Sequence, residues 1–283
     1  MKVAYFGEHG SFSHLVAMRR FANNAARRQR YGLVSSPTID GCFAGLEAGD
    51  YDQVVVPIEN ASSGMITHTV DQLILLAHRR HPELAIREAL HLRVKLALLT
   101  RRLQSSPKVI YSHPAPLVHA KEWLDAHFPL ARREALTSTS EAARRVKGER
   151  GAAAIAGVHA AELYGLKVMS RDIDSGVPNR TTFFVVGREL KSRKQPTHTT
   201  LVFELPHEPG SLVAVLQTLA RQKLNLTRIE SRPIPGRFSE YRFMVEVEGV
   251  PDELGFHRAL NRLQYKTTFC SVLGSYPVSR VQS

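Results

Sequence analysis

The sequence predicts an α/β protein in two parts, a two-lobed α/β unit followed by a smaller ferredoxin-like βαββαβ unit. Three observations carry this. Short apolar runs alternate with stretches of helical spacing over roughly the first 190 residues. Residues 86–99 break that alternation with Leu90, Leu92, Val94, Leu96 and Leu98 at every second position, which reads as an extended crossover between two such groups. Beyond the charged, proline-ended string Lys191-Ser192-Arg193-Lys194-Gln195-Pro196 the order of elements changes.

Each element follows in turn. Val3, Ala4, Tyr5 and Phe6 read as a buried strand, and after a turn at 7–10 a helix opens at Ser11 with apolar Phe12, Leu15, Val16 and Phe21. Thr38 is an N-cap for a helix over 39–48, which Gly49-Asp50 closes. Residues 54–58 form a second buried strand, the polar turn Glu59-Asn60-Ala61-Ser62-Ser63-Gly64 follows, and helical spacing resumes over 67–77. Strand followed by helix, repeated, implies largely parallel sheets. The second lobe reads as strand 108–111, helices from Pro114 through Trp123 and over 140–146, strand 152–156, helix 158–164 capped by Gly165, and strand 166–169. After a turn at 174–178, a strand over 182–186 returns to the first lobe, so two crossings leave a ligand cleft between the lobes. The C-terminal unit reads strand 199–205, helix 211–222, strand 226–231, strand 241–247, helix 253–263 and strand 269–276. The division is therefore 1–190, with lobe 1 about 1–80 and 176–190 and lobe 2 about 100–175, then a linker at 191–197 and a unit at 198–283.

Bulk properties narrow the function. A hydrophobic content of 43% with 23% charged residues is ordinary for a globular protein with a real core. The net charge of +12 is spread in short pairs such as Arg27-Arg28, Arg101-Arg102 and Arg144-Arg145. No basic run is interleaved with aromatics and no helix-turn-helix or zinc-finger spacing occurs, so a solvated basic surface is expected rather than a nucleic-acid partner. No secretory signal or membrane-length apolar run is evident. Cys42 and Cys270 stand far apart, and a reducing, cytoplasmic setting fits them.

The chemistry-bearing residues collect at predicted helix starts. Ser11-Phe12-Ser13, Asn60-Ala61-Ser62-Ser63-Gly64, Ser112-His113-Pro114 and Thr137-Ser138-Thr139-Ser140 each place small hydroxyls and free N–H groups where the helix dipole favours an anion. Any one of them alone is a plain N-cap. Four at the same end of two α/β lobes point to a cleft for a carboxylate-bearing ligand. His78 and His81 lack a third ligand and sit beside arginines, so no metal site is expected. His9, His14, His113 and His119 lie near the cleft turns and are expected to titrate near neutrality. Ser112-His113 is not a nucleophile–base pair, since neighbouring residues rarely aim at one another, and no phosphate-loop or dinucleotide fingerprint occurs.

In order along the chain, these residues resemble prephenate dehydratases. Gly7-Glu8-His9-Gly10-Ser11-Phe12-Ser13 is similar to the family's opening motif, and Val56-Pro57-Ile58-Glu59-Asn60 with Gly64, Thr69 and Asp71 to its long second motif. Tyr111-Ser112-His113-Pro114, Thr137-Ser138-Thr139, Ala153-Ala154-Ile155-Ala156 through Tyr164-Gly165-Leu166, and Asn179-Arg180-Thr181-Thr182-Phe183 resemble the rest. Gly210-Ser211-Leu212 and Glu230-Ser231-Arg232-Pro233 resemble the two phenylalanine-binding motifs of an ACT regulatory domain.

The resemblance implies a periplasmic-binding-protein-like catalytic domain, a cofactor-free decarboxylative dehydration of prephenate to phenylpyruvate, and allosteric control by phenylalanine in a homodimer or homotetramer. It implies Thr181 as the hydroxyl assisting departure of the leaving group, with Glu59, Asn60 and His119 around it. Ser11, Ser13, Ser62, Gly64, Ser112, His113, Thr137, Ser138, Thr139, Asn179, Arg180 and Phe183 would bind substrate. The chain departs from the family at Glu8, Ala61, Ala115, His119 and Thr182; the last stands where arginine is usual, and Arg180 shares its strand face. Those departures leave open arogenate dehydration, decarboxylation without aromatisation, and a catalytically silent amino-acid sensor.

Overall fold

The computed structural model describes residues 1–79, 81–103, 106–174, 179–188, 194–250 and 254–282. Lobe 1 begins β1 (Lys2–Phe6), α1 (Phe12–Phe21), α2 (Ala25–Arg30), β2 (Gly32–Ser36), α3 (Ile39–Ala48), β3 (Gln53–Asn60), β4 (Gly64–Met65), α4 (Thr67–Arg79) and β5 (Ala85–Arg93). Lobe 2 follows with β6 (Leu96–Thr100), β7 (Val109–Ser112), α5 (Pro114–His119), α6 (Lys121–His127), β8 (Arg132–Ala135), α7 (Thr139–Gly148), β9 (Ala152–Gly157), α8 (Val158–Tyr164) and β10 (Lys167–Arg171). The chain returns to lobe 1 as β11 (Arg180–Gly187). The C-terminal domain comprises β12 (His198–Glu204), α9 (Ser211–Arg221), β13 (Leu226–Pro233), β14 (Tyr241–Glu248), α10 (Leu254–Gln264) and β15 (Phe269–Tyr276), after which comes β16 (Val278–Val281). The greater part of the turn expected at 174–178, and residues 191–193 of the expected linker, lie outside the described residues.

Local chemistry sets the element ends. Ser11 caps α1 by accepting from the His14 N–H, Thr38 caps α3 by accepting from Gly41, and Gly49 and Gly165 close α3 and α8 in left-handed backbone. The strands of lobe 1 form one sheet in the order β16-β5-β11-β3-β1-β2, with β4 on the edge of β3; lobe 2 carries the sheet β10-β6-β9-β7-β8. These sheets are mixed rather than largely parallel. β11 runs antiparallel to both β3 and β5, and β6 antiparallel to β9. The reason is geometric: β11 enters from lobe 2 at the end where β3 finishes, so it has to run back the other way.

The region expected as one extended crossover, 86–99, is two strands in two sheets, β5 and β6, joined by a single short crossing at Val94-Lys95. β2, β8 and β16 escape sequence reading because GLVSS, RREA and VSRV carry too little apolar alternation.

The C-terminal sheet, β13-β14-β12-β15, is covered on one face by α9 and α10 around Leu201, Phe203, Val245 and Phe256. Its other face packs on lobe 1, where Val202, Met244, Leu273 and Tyr276 share a core with Val56, Leu73, Ile74 and Phe184. The last strand, β16, leaves the C-terminal unit altogether and pairs parallel with β5, Val278 opposite Ala89. No helix among the described residues is long and apolar enough to cross a membrane.

Candidate active site

The ends of β3 and β11 meet at the cleft between the lobes. The register sets Thr181 directly opposite Asn60 and Thr182 opposite Glu59. Because successive side chains on a strand point to opposite faces, Asn60 and Thr181 share one face and Glu59 and Thr182 the other.

On the first face the polar groups form a continuous chain. Asn60 Nδ2 donates to Thr181 Oγ1 and to Asn179 Oδ1, both at 2.8 Å. Thr181 and Asn179 are buried, so these bonds are made away from bulk water. The orientation of the Asn60 amide is settled by its other end, since Oδ1 accepts the backbone N–H groups of Ser62 and Ser63 at 3.1 Å each. The Ser62 hydroxyl also lies 2.5 Å from that oxygen. From lobe 2, His119 at the end of α5 reaches across the cleft and places Nε2 2.6 Å from Ser62 Oγ. His119, Ser62, Asn60, Thr181 and Asn179 are thus linked although the group spans 121 positions of sequence, from Asn60 to Thr181. Gly64 turns back at φ +80°, which lets β4 pair with β3 immediately beyond this turn.

Other expected site residues hold the cleft's rim. The loop between β1 and α1 turns at Gly7 and Gly10, with φ of +88° and +89°. Gly10 N–H donates to His14 Nδ1 at 3.1 Å, the His159 ring bonds the Gly10 carbonyl at 2.8 Å, and Tyr164 donates to the His9 carbonyl at 2.6 Å. This loop therefore touches α8 of the opposite lobe. Ser13 is buried on α1. His113 caps α5 through Nδ1, and Ser138 caps α7 by accepting from Glu141 N. Glu141 returns a carboxylate oxygen to the N–H and hydroxyl of Thr137, and Thr139 begins the helix. His113, Pro114, Ala135, Leu136, Thr137 and Glu141 line a hollow of about 370 Å³.

One of the four histidines expected to titrate near neutrality, His14, does not have that freedom. Burial, with His9 and His159 nearby, drives His14 down to about 4, and burial lowers His113. His14 is held neutral because charging it there would be uncompensated.

Five side chains lie elsewhere than expected. Ser112 is fully buried, its hydroxyl donated to the Ile155 carbonyl at 2.7 Å. Phe183 belongs to the core between the lobes rather than the cleft surface. Arg180 is exposed and shares its face with Thr182, away from Thr181. Glu59 points to that same far face, where its carboxylate takes a hydrogen bond of 2.8 Å from Arg228 of β13. The cation facing Glu59 therefore comes from the C-terminal domain, not from Arg180. Arg232, expected at a phenylalanine site, forks onto Asp71 of α4 at 2.6 and 2.8 Å.

Residues 3–191 match the family model described as prephenate dehydratase. The chain belongs to the prephenate dehydratase family. Residues 199–263 match the ACT domain model. The chain is 32% identical over 281 residues to the bifunctional chorismate mutase/prephenate dehydratase of Stutzerimonas stutzeri, covering 98% of this chain and 73% of that protein. Among solved structures, the prephenate dehydratase of Arthrobacter aurescens in complex with L-Phe superposes with a TM-score of 0.84 at 27% identity, covering 98% and 90% of the two chains. A protein described as a novel type of quorum quenching acylase also superposes at 0.84, with 26% identity over 99% and 98%.

Of the ACT domain's two motifs, Ser231 and Pro233 stand opposite Phe243 and Tyr241 on the face that carries the Gly210 motif, whereas Glu230 and Arg232 lie on the face toward lobe 1. Gly210, at φ +87°, starts α9, and Ser211 and Leu212 line a hollow of about 130 Å³ with Pro206, Glu208, Tyr241 and Phe243. β13 is the edge strand of its sheet, so Glu230, Ser231, Arg232 and Pro233 stand at the margin of the domain.

Sequence reading missed Arg228, Glu246 and Tyr276. Arg228 is flanked by two carboxylates, with Nη1 2.8 Å from Glu246 and Nη2 2.8 Å from Glu59. Burial opposes charge on both Arg228 and Glu246, and each partner's field outweighs it: the guanidinium pKa rises and the Glu246 pKa falls. No local pattern marks such residues, because their partners are 18 and 169 positions away.

Proposed function

We infer that this chain is a prephenate dehydratase whose chemistry centres on Thr181. Decarboxylation of prephenate pushes the electron pair of the broken C–C bond into the ring, and the 4-hydroxyl must leave as water for the ring to aromatise. The enzyme's work is to hold the dianion, orient it, and supply a proton or hydrogen bond to the departing oxygen.

The Thr181 contact carries this reading. Asn60 Nδ2 donates to Thr181 Oγ1, so the lone pair of the hydroxyl is engaged and its own proton is left to point elsewhere. A threonine hydroxyl is a weak acid, and here it acts as a directed donor to the leaving hydroxyl rather than as a proton source. Ser62 and His119 extend the hydrogen-bond chain across the cleft and hold the Asn60 amide in place; that amide aims the Thr181 hydroxyl without passing a proton to it, and the departing hydroxide takes its proton from water in the cleft. Backbone N–H groups at the starts of α1 and α7 attract the two carboxylates; α5 offers none, since Pro114 and Pro116 lack the group and Ala115 and Leu117 donate to His113. The Thr137 hydroxyl is already engaged by Glu141, so its part is to shape the rim. The reaction needs no cofactor, and the cytoplasm is the expected setting.

The ACT domain is the sensor for phenylalanine, with Gly210, Ser211 and Leu212 as the lip of its pocket. Glu230, Ser231 and Pro233 on the exposed edge would close that pocket from a second copy of the chain, which makes a homodimer the working unit. Arogenate remains the alternative substrate. A direct assay decides: purified protein with prephenate, then with arogenate, following phenylpyruvate or phenylalanine. Product from prephenate that disappears in Thr181→Ala supports the reading; an active Thr181→Ala overturns it.

A second reading, acyl-amide hydrolysis, is favoured by the 2.6 Å contact of Ser62 Oγ with His119 Nε2, within the range of a nucleophile–base pair. The Ser62 hydroxyl is, however, also 2.5 Å from Asn60 Oδ1, which directs its proton away from the imidazole and favours the role of holding the Asn60 amide. Hydrolysis of an acyl p-nitroanilide that is lost in Ser62→Ala would establish this second activity.

A further inference from the structure

We propose that Arg228, in the ACT domain, is a positioning residue for the dehydration: it holds the Glu59–Asn60 end of β3 from the face away from the cleft and so fixes Asn60 against Thr181. The proposal rests on the dehydratase reading above.

The end of β3 needs holding. The β3–β11 register shifts between Thr182 and Phe183, so that Phe183 faces Pro57 while Thr182 faces Glu59, and Ile58 has no direct partner. Glu59 and Asn60 therefore lie beyond a bulge, where the ladder is interrupted and the strand is free to re-aim its side chains. Among the described residues, the strands that pair with β3 beyond the bulge are the two-residue β4 and the first residues of β11. The Glu59 side chain is 41% exposed and would sample many rotamers if unbound.

Arg228 removes that freedom. Its side chain is only 9% exposed, and it stands over the Phe184 ring at 5.5 Å. Its second nitrogen is anchored on Glu246, whose carboxylate is itself held by Tyr276 at 2.6 Å and Thr227 at 2.8 Å. The planar guanidinium is thus fixed by buried groups on one side and presents its remaining fork to Glu59. Asn60 is the next residue, and its amide makes both bonds to Thr181 and Asn179. A shift of the Glu59 backbone passes directly to them. Small displacements of reacting groups carry large rate penalties, whereas substrate affinity, set by many contacts, is less sensitive.

The same strand carries the ACT motif at 230–233, and Arg232 makes a second ionic contact with lobe 1 through Asp71. β13 is therefore clamped to the catalytic domain at two points four residues apart, and the first of these touches the active strand.

The test uses the full chain with prephenate as substrate, in wild type, Glu59→Ala, Arg228→Met, Arg228→Lys and the double variant Glu59→Ala/Arg228→Met. The expected result is a fall in kcat of about tenfold or more in Glu59→Ala and Arg228→Met, with KM changed by less than about threefold. The double variant is expected to be no worse than the poorer single one, because both remove one interaction. Arg228→Lys, which keeps the charge, should recover part of the loss. Should Arg228→Met fail to fold because Glu246 is left buried and unpaired, Glu59→Ala decides alone, since it leaves the Arg228–Glu246 pair in place. Glu59→Ala with kcat within about twofold of wild type, or losses that multiply in the double variant, overturn the proposal while the dehydratase reading stands. An inactive wild type overturns that reading and this proposal together.

Discussion

At the residue scale, function narrows to a hydroxyl and the amide that aims it. Thr181→Ala removes the donor to the leaving group and should lower kcat by about 10²–10³-fold with a smaller change in KM, measured by phenylpyruvate absorbance. Thr181→Ser keeps the oxygen and should retain far more activity. His14 offers a prediction in pH. Its folded value of about 4 lies below the ordinary 6.5, so the unfolded chain takes up a proton in that interval and the folded chain does not. Stability from this group is complete above pH 6.5 and is lost as pH falls toward 4. Protonation at Nδ1 also removes the acceptor for Gly10 N–H. Thermal melts between those limits should show a steeper decline in wild type than in His14→Asn. These residues were partly legible beforehand: Thr181, Asn60 and Asn179 stand in motifs that can be read along the chain. Glu59 stood in one too, yet a motif does not say which face of a strand its members occupy, and here the bulge and the period of two turn it away from the cleft.

At the scale of elements, the joint between β15, β16 and β5 holds the ACT domain on lobe 1. Gly274 lies at φ +150°, and a Cβ there would meet the Ile86 carbonyl oxygen at 2.4 Å. Gly274→Ala combines a backbone conformation unsuited to other residues with a clash against another strand, and should destabilise the protein by about 2 kcal/mol or more in denaturant titrations. A loss below about 0.5 kcal/mol would show that the contact yields without cost. Helices with clear caps, α1, α3 and α7, were readable from their N-terminal residues alone. β2, β8 and β16 were not, because edge strands are specified by the backbone they pair with rather than by their own side chains.

At the scale of the whole molecule, two lobes and a regulatory domain share cores instead of hanging on linkers. Tyr276 packs edge-on against Phe184 at 5.4 Å and bonds Glu246 in the same interface, so movement of the ACT sheet is felt by the strand that carries Thr181. Phenylalanine that binds only the folded ACT domain should stabilise the protein by about 2.7 kcal/mol at a concentration about 100 times its Kd. Gly210→Val, which forces a branched side chain into left-handed backbone at the pocket lip, should abolish that shift in the melting temperature. An equal shift in wild type and variant would move the sensing site elsewhere.

The sequence by itself determined the class of fold, the order of the two domains, the family, and the residues whose neighbours along the chain form a motif with them. These follow from short-range physics: periodicity, caps, turns and ordered signatures. Only the tertiary structure decided that the sheets are mixed, that the last strand crosses back to lobe 1, and that Arg228 stands behind Glu59. Each of those depends on contacts between segments far apart in the chain, and a linear string of residues carries no local mark of the partner that folding will bring to it.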